Sequence, residues 1–224
     1  MAEADYKRKS DAMVEYLIHS NFLKTKNIID AFRAVPRHIF NLPELAAYAY
    51  EDMALQIVKA ATISQPSTVA FMLEELQPRE GNKVLEVGTG SGWQACLLSK
   101  CVGEKGKVTT IEIDGDVAEF ARQNISKYGR ATNANVSNIN VVTGDGSIGY
   151  IDDAPYDKVI MTAACPAVPM QIITQLRIGG RIVAPVGTQA VQTLKIIDKI
   201  SESKTVEKES GSFQFIPLKG QLGF

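Results

Sequence analysis

At 224 residues, with 45% apolar and 22% charged side chains, the chain has the composition of an ordinary folded protein and not of a disordered one. Lysine plus arginine (24) nearly balance aspartate plus glutamate (25), and a net charge of -1 makes no electrostatic case for nucleic acid or an anionic membrane as a partner. The opening "MAEADYKRKS" lacks the apolar core of a secretory signal, and no apolar run reaches the ~18–20 residues of a membrane span. The three cysteines (Cys96, Cys101, Cys165) show no C-x-x-C spacing, so buried reduced thiols in a cytoplasmic protein are expected in place of a disulfide framework or a metal site.

The first forty residues carry helical stripes. Val14, Leu17 and Ile18 make one, and Ile28, Ile29, Phe32 and Val35 make another before Pro36 interrupts. "LPELAAYAYED" continues in small, partly helical pieces. After "ISQP" a third amphipathic helix places Val69, Met72, Leu73 and Leu76 on one face. From Lys83 strand and helix alternate: "KVLEVG", a helix over 91–101, "KVTTIEI", a helix over 116–127, "INVVTGDG", "YDKVIMTAA", the helix "VPMQIITQL" and the strand "GGRIVAPVG". This alternation predicts an α/β fold, a doubly wound and mostly parallel sheet with helices on both faces. In the tail, "TLKIIDKI" and "FQFIPL" are expected to be two strands joined by the charged turn "SESKTVEKESG", an antiparallel hairpin at the sheet edge. One domain is expected: a helical N-terminal extension (1–80), a cofactor-binding core (81–190) and the edge hairpin (191–224).

"VLEVGTGSGWQA" sets Gly88, Gly90 and Gly92 where a buried strand turns into a helix, so that the chain turns tightly and a ligand approaches without meeting a Cβ. Glu112 ends the next strand, about 20 residues on, where a carboxylate can accept from ribose hydroxyls. A dinucleotide loop needs a small residue in the place of Trp93. A pyrophosphate would also be repelled by Glu86, whose carboxylate suits a ligand bearing an ammonium group. Glu86, Gly88, Thr89, Gly90, Ser91 and Gly92 therefore point to S-adenosylmethionine in preference to a nicotinamide dinucleotide. Asp145 in "GDG" either accepts from the adenine amino group or, with Gly146, simply makes a turn. Thr162, Ala163 and Ala164 end the fourth strand and are expected to wall the substrate site, since ligands sit at the carboxyl ends of such strands.

The chain resembles the protein-L-isoaspartate (D-aspartate) O-methyltransferases over nearly its whole length. "AVPRHIF", "AYED", "TISQP", the glycine loop, "GDGSIGY", "APYDKVIMTAACPAVP", "LRIGGRIVAPVG" and "FIPLKG" carry the resemblance. It implies methyl transfer from S-adenosylmethionine to the free α-carboxylate of an L-isoaspartyl residue in a damaged protein or peptide. It also implies that Ser64 is the active-site residue and that Ala61, Thr62, Ile63, Ser91, Glu112, Asp145 and Gly146 line the cofactor. Ahead of "TIS", Ala60-Ala61 stands where many members have glycine-glutamine.

A carboxylate nucleophile is already ionised at neutral pH and needs no general base. His19 and His38, both N-terminal, are accordingly expected to be structural, as is Cys165, which has no visible histidine partner. Ser64, and with it Thr62, would donate hydrogen bonds to the substrate carboxylate. The alternative is that Ser64 caps the helix opening at Pro66. Residues 215–218 either cover the cofactor or pack as ordinary core. A nucleic-acid methyltransferase would need a (D/N/S)-P-P-(Y/F/W) element where "TAACPAVP" stands. A metal-dependent small-molecule enzyme would need Asp/Asn ligands near the fourth strand's far end, whereas Asp157 lies at its start.

Overall fold

The computed structural model describes residues 3–224. Two helices, α1 (Glu3–His19) and α2 (Lys26–Ala34), bury the stripes Met13, Val14, Leu17 and Ile28, Ala31, Phe32. Pro36 ends this run, and two short 3-10 turns, Arg37–Phe40 and Pro43–Tyr48, lead outward. A small hairpin that the sequence pattern does not announce follows: β1 (Leu55–Gln56) pairs antiparallel with β2 (Thr62–Ile63), Leu55 facing Ile63. Helix α3 (Pro66–Leu76) opens on its proline, whose fixed φ and missing N–H suit the first turn.

The remaining elements are β3 (Lys83–Val87), α4 (Trp93–Val102), β4 (Lys107–Glu112), α5 (Gly115–Thr132), β5 (Ile139–Thr143), β6 (Tyr156–Met161), α6 (Met170–Gln175), β7 (Leu176–Gly187), β8 (Gln192–Ser201) and β9 (Lys204–Phe213). They form a seven-stranded sheet in the order β5-β4-β3-β6-β7-β8-β9, parallel through β7 and antiparallel beyond it. The chain winds from β3 out to β5 and then returns to the other side of β3. The crevice at the carboxyl ends of β3 and β6 is thus the topological switch point, where ligands bind in open α/β sheets.

Successive strand residues point to opposite faces. Val84, Ile160 and Val183 enter the core under α1 to α5, while Leu85, Val87, Val159, Met161 and Ile182 enter a second core with Ile172 of α6. The same alternation sends Glu86, between Leu85 and Val87, towards the helical extension. Helix α5 runs longer than 116–127 because Asp114 caps it, accepting from the N–H groups of Asp116 and Val117, and because it ends only at left-handed Asn133.

The tail corrects one expectation. The charged stretch read as a turn is itself strand β9, and the turn is confined to Ser201–Lys204. An edge strand exposed on both faces needs only its ladder to β8, and its charges guard the open edge. "FIPL" then crosses back over the carboxyl edge instead of pairing with β8: Ala164 N–H donates to Ile216 O (2.8 Å) and Leu218 N–H to Ala164 O (2.7 Å).

Candidate active site

A cavity of about 350 Å³ opens at the switch point, between the sheet edge, the β1–β2 hairpin and the returning tail. Ala61, Thr62, Ile63, Ser64, Glu86, Gly88, Thr89, Gly90, Ser91, Glu112, Gly146, Thr162 and Ala163 all line it. So do residues 214–219. Phe215 and Leu218 are at the same time buried, so covering and core packing are one arrangement and not alternatives.

Two glycines of the loop answer to different neighbours. Gly88 has φ +96°, and a Cβ there would fall 2.3 Å from Thr162 Oγ1, the atom that donates to Gly88 O at 2.7 Å. Gly92 (φ +85°) does not line the cavity; a Cβ would press on Ile125 Cγ1 at 3.0 Å and Ala121 O at 3.2 Å of α5. Its task is helix packing. Glu112 receives the Gly90 N–H on Oε2 (3.1 Å), so the acid that ends β4 also braces the loop. Trp93, too bulky for close strand–helix packing, instead fills the space beneath the N-terminal helices. It meets Phe32 edge-on at 5.5 Å, and its Nε1 donates to Val35 O at 3.2 Å.

Glu86 is wholly buried. Its Oε2 accepts from Thr110 Oγ1 (2.6 Å) on the adjacent strand, and Thr110 in turn meets Thr89 Oγ1 (2.7 Å). Oε1 completes no hydrogen bond among the described residues, and neither does Gln94 Nε2 beside it on the cavity wall. Burial pushes the Glu86 carboxyl up to about 8, against the pull of the Thr110 hydroxyl and the Gln94 amide. A buried, under-bonded acid facing a cavity fits a ligand that brings a cation.

Ser64 does not cap α3. The N-cap position is Gln65, without a side-chain cap bond, and the first-turn N–H of Ser67 donates to Asp52 Oδ1 (2.8 Å). Asp52, from "AYED", also holds Gln65 Nε2 (3.1 Å). The Ser64 backbone is held from below by Arg37, which was not among the expected site residues. That guanidinium has no exposed surface and donates to the carbonyls of Ala49 (2.5 Å), Met53 (3.0 Å), Ile63 (3.5 Å) and Ser64 (3.0 Å). It also lies 5.3 Å from the centre of the Trp93 ring. Burial lowers its pKa to about 10, with Asp52 opposing, which leaves it charged at neutral pH. A charge directly after Pro36, among Val35, Ile39 and Phe40, was the available signal.

Three expected site residues stand elsewhere. Asp145 is a turn residue: Oδ1 accepts from the N–H and hydroxyl of Ser147, and Oδ2 from Gln221 N–H. Its carboxylate is absent from the cavity lining, although Gly146 is there. Ala164 anchors the returning tail and does not wall the cavity. Gly92 serves α5. His19 bonds the Glu15 carbonyl, and His38 stacks on Tyr6 (4.0 Å) and bonds Tyr50 Oη (2.7 Å); neither lines the cavity. Cys165 is buried, with its thiol pushed up to about 12 by burial. Among the described residues no helix is long and apolar enough to cross a membrane.

A doubly wound sheet with a glycine loop at its switch point, a buried acid facing the cavity and a second acid ending the next strand defines a Rossmann-like methyltransferase. The comparisons narrow this. The family model for protein-L-isoaspartate(D-aspartate) O-methyltransferase matches residues 8–223, so the chain belongs to that family of S-adenosylmethionine-dependent enzymes. It is similar to the protein-L-isoaspartate O-methyltransferase of Methanococcus maripaludis (44% identity, 95% of this chain and 96% of that protein). It is likewise similar to that of Methanopyrus kandleri (38%, 100% and 98%). A solved protein-L-isoaspartate O-methyltransferase superposes with a TM-score of 0.84 at 30% identity, over 96% of this chain and 67% of that one. A putative one from Plasmodium falciparum, solved with S-adenosyl-L-homocysteine, shares the fold at 19% identity (TM-score 0.82; 93% and 97%).

Two outcomes follow for the cofactor-free protein. Gly92→Ala should lose about 1–3 kcal/mol in a denaturant melt, because a side chain is forced both to positive φ and against α5. Glu86 binds its proton more tightly folded than unfolded, so stability is greatest at low pH and is lost as pH rises from 4.5 towards about 8. Glu86→Gln should therefore match its parent near pH 4.5 and exceed it increasingly towards pH 8. A difference that does not vary with pH would contradict the assignment.

Proposed function

We propose that the chain moves a methyl group from S-adenosylmethionine to the free α-carboxylate of L-isoaspartyl residues in damaged proteins and peptides. One observation carries the reading: a small hydroxyl-bearing turn, 62–64, lines the same cavity as a glycine loop with a buried acid. When bound, the cofactor supplies a methyl group on a positively charged sulfonium. Glu86 would ionise to hold the cofactor's amine through Oε1, and Gln94 beside it offers an amide donor to the same end. Glu112 would hold the ribose, and the loop 88–91, with 61–63 beside it and Gly146, would enclose the rest.

The chain's remaining work is binding and alignment. The substrate's own carboxylate attacks, so no side chain need take a proton. Ser64 Oγ, with Thr62 Oγ1, donates to that carboxylate and orients one oxygen; Thr162 and Ala163 wall the slot with little bulk. A hydroxyl leaves the oxygen nucleophilic where a bidentate guanidinium would hold it too firmly. Negative and positive charge are both lost on the way to products, and the tail 214–218 helps keep the slot dry. Alignment of this kind can supply as much as ~7–11 kcal/mol. We read residues 1–224 as one unit, because a single core runs from α1 through β8, and as cytoplasmic, because the three cysteines are buried free thiols.

Labelled methyl incorporation into an isoaspartyl peptide, beside its aspartyl twin, tests the activity: label is expected in the first only, and equal labelling or none would overturn it. Because Ser64 makes no cap bond, Ser64→Ala should keep its thermal midpoint while kcat/KM falls about ten- to a hundredfold, the worth of one hydrogen bond to a charged group. Normal turnover would remove Ser64 from the chemistry.

A further inference from the structure

A guanidinium buried with backbone carbonyls as its hydrogen-bond partners is costly to desolvate, and an apolar residue of equal volume would fill the same space. What the apolar residue could not do is satisfy carbonyls that converge from three separate stretches of chain, at Ala49, at Met53 and at Ile63 and Ser64. A planar, rigid fork does this, and a lysine ammonium does not. In a trans peptide the N–H points opposite to the C=O. Carbonyls 63 and 64 drawn down onto Arg37 therefore turn the N–H groups of Ser64 and Gln65 away from it. Both residues line the cavity. The same guanidinium rests on Trp93, the first residue after the glycine loop, so the hydroxyl-bearing turn and the cofactor loop are registered against a common post.

We propose that Arg37 is a positioning residue for methyl transfer: its guanidinium fixes the turn 63–65 so that the polar groups of Ser64 face the carboxylate being methylated. It touches neither reactant and acts through the turn. This inference rests on the assignment of Ser64 made above.

The test compares Arg37→Lys, Ser64→Ala and the double variant, all assayed well below their melting midpoints with the activity expressed per folded molecule. Arg37→Lys should lower kcat by about 100-fold, the cost of misplacing a reacting group by roughly 1 Å. Its affinity for S-adenosylhomocysteine, measured by calorimetry, should be retained. Adding Arg37→Lys to Ser64→Ala should cost little more than the slower single change, because both act on one contact. A parental kcat in Arg37→Lys overturns the proposal, as does a loss of cofactor affinity equal to the loss in rate, or a full further loss in the double variant. If Ser64→Ala alone runs at the parental rate, the hydroxyl assignment has failed on its own account. A slow Arg37→Lys then still supports positioning, through the turn's N–H groups. Arg37→Gln, which keeps an amide donor, replaces a lysine variant that does not fold. Failure of both to fold assigns Arg37 to stability alone and overturns the proposal.

Discussion

A fully buried carboxyl group at the wall of a cavity, with one of its oxygens left without a partner, is the constraint on which this architecture turns. The period of a β-strand places Glu86 on the helical side of β3 between two residues that face the other core, and on that side it lines the cavity with no surface of its own exposed. Thr110 on β4 supplies one hydrogen bond, and the Gln94 amide beside the carboxyl lowers its pKa without completing a bond to Oε1. Burial raises its pKa by more, which favours the protonated form in the free protein. A cationic ligand meets the cost of burial by replacing the proton, and the free energy so released adds to the stability of the folded complex.

The N-terminal extension closes the cavity that this acid faces. Its helices bring Val35, Phe32 and Arg37 onto Trp93, and the segment beyond Arg37 returns as the β1–β2 hairpin over the glycine loop. The tail closes the remaining side by pairing with Ala164 at the end of β6. The carboxyl edge of the sheet thus becomes a slot with walls from three parts of the chain, and small side chains at Ala61, Thr162 and Ala163 leave it room. Nothing in such a slot has to act as a strong base, which agrees with two histidines that make packing and helix contacts outside its lining.

Much of this was legible beforehand because it is local. Strand–helix alternation, the glycines and the acid ending β4 are short-range patterns; the parallel sheet followed from them, and most of the residues they single out lie along one cavity. What was missed depends on distant partners. The hairpin boundary failed because β9 is stabilised by its ladder and not by apolar content, so charge was mistaken for a turn. Gly92 was read with its neighbours as a cofactor contact, when what decides its identity is Ile125, more than thirty residues away. Asp145 was read either as a ligand contact or as a turn residue, and the bonds its oxygens accept from Ser147 and from Gln221 of the tail make the turn. The alternative reading of Ser64, as a cap, falls because Asp52, twelve residues upstream, takes the Ser67 N–H in its place. Arg37 carried no periodic signal at all, since its role is defined by four carbonyls from elsewhere.

Proton release on cofactor binding is the most direct check on the buried acid. Calorimetric titration with S-adenosylhomocysteine at pH 7, in buffers of differing ionisation enthalpy, counts the protons exchanged per molecule bound. If Glu86 waits as a neutral acid and ionises against the incoming amine, about one proton leaves for each ligand, and none leaves in Glu86→Gln. Binding to the parent protein with no net exchange, or with uptake, would show that Glu86 does not change charge and that something else receives the cation.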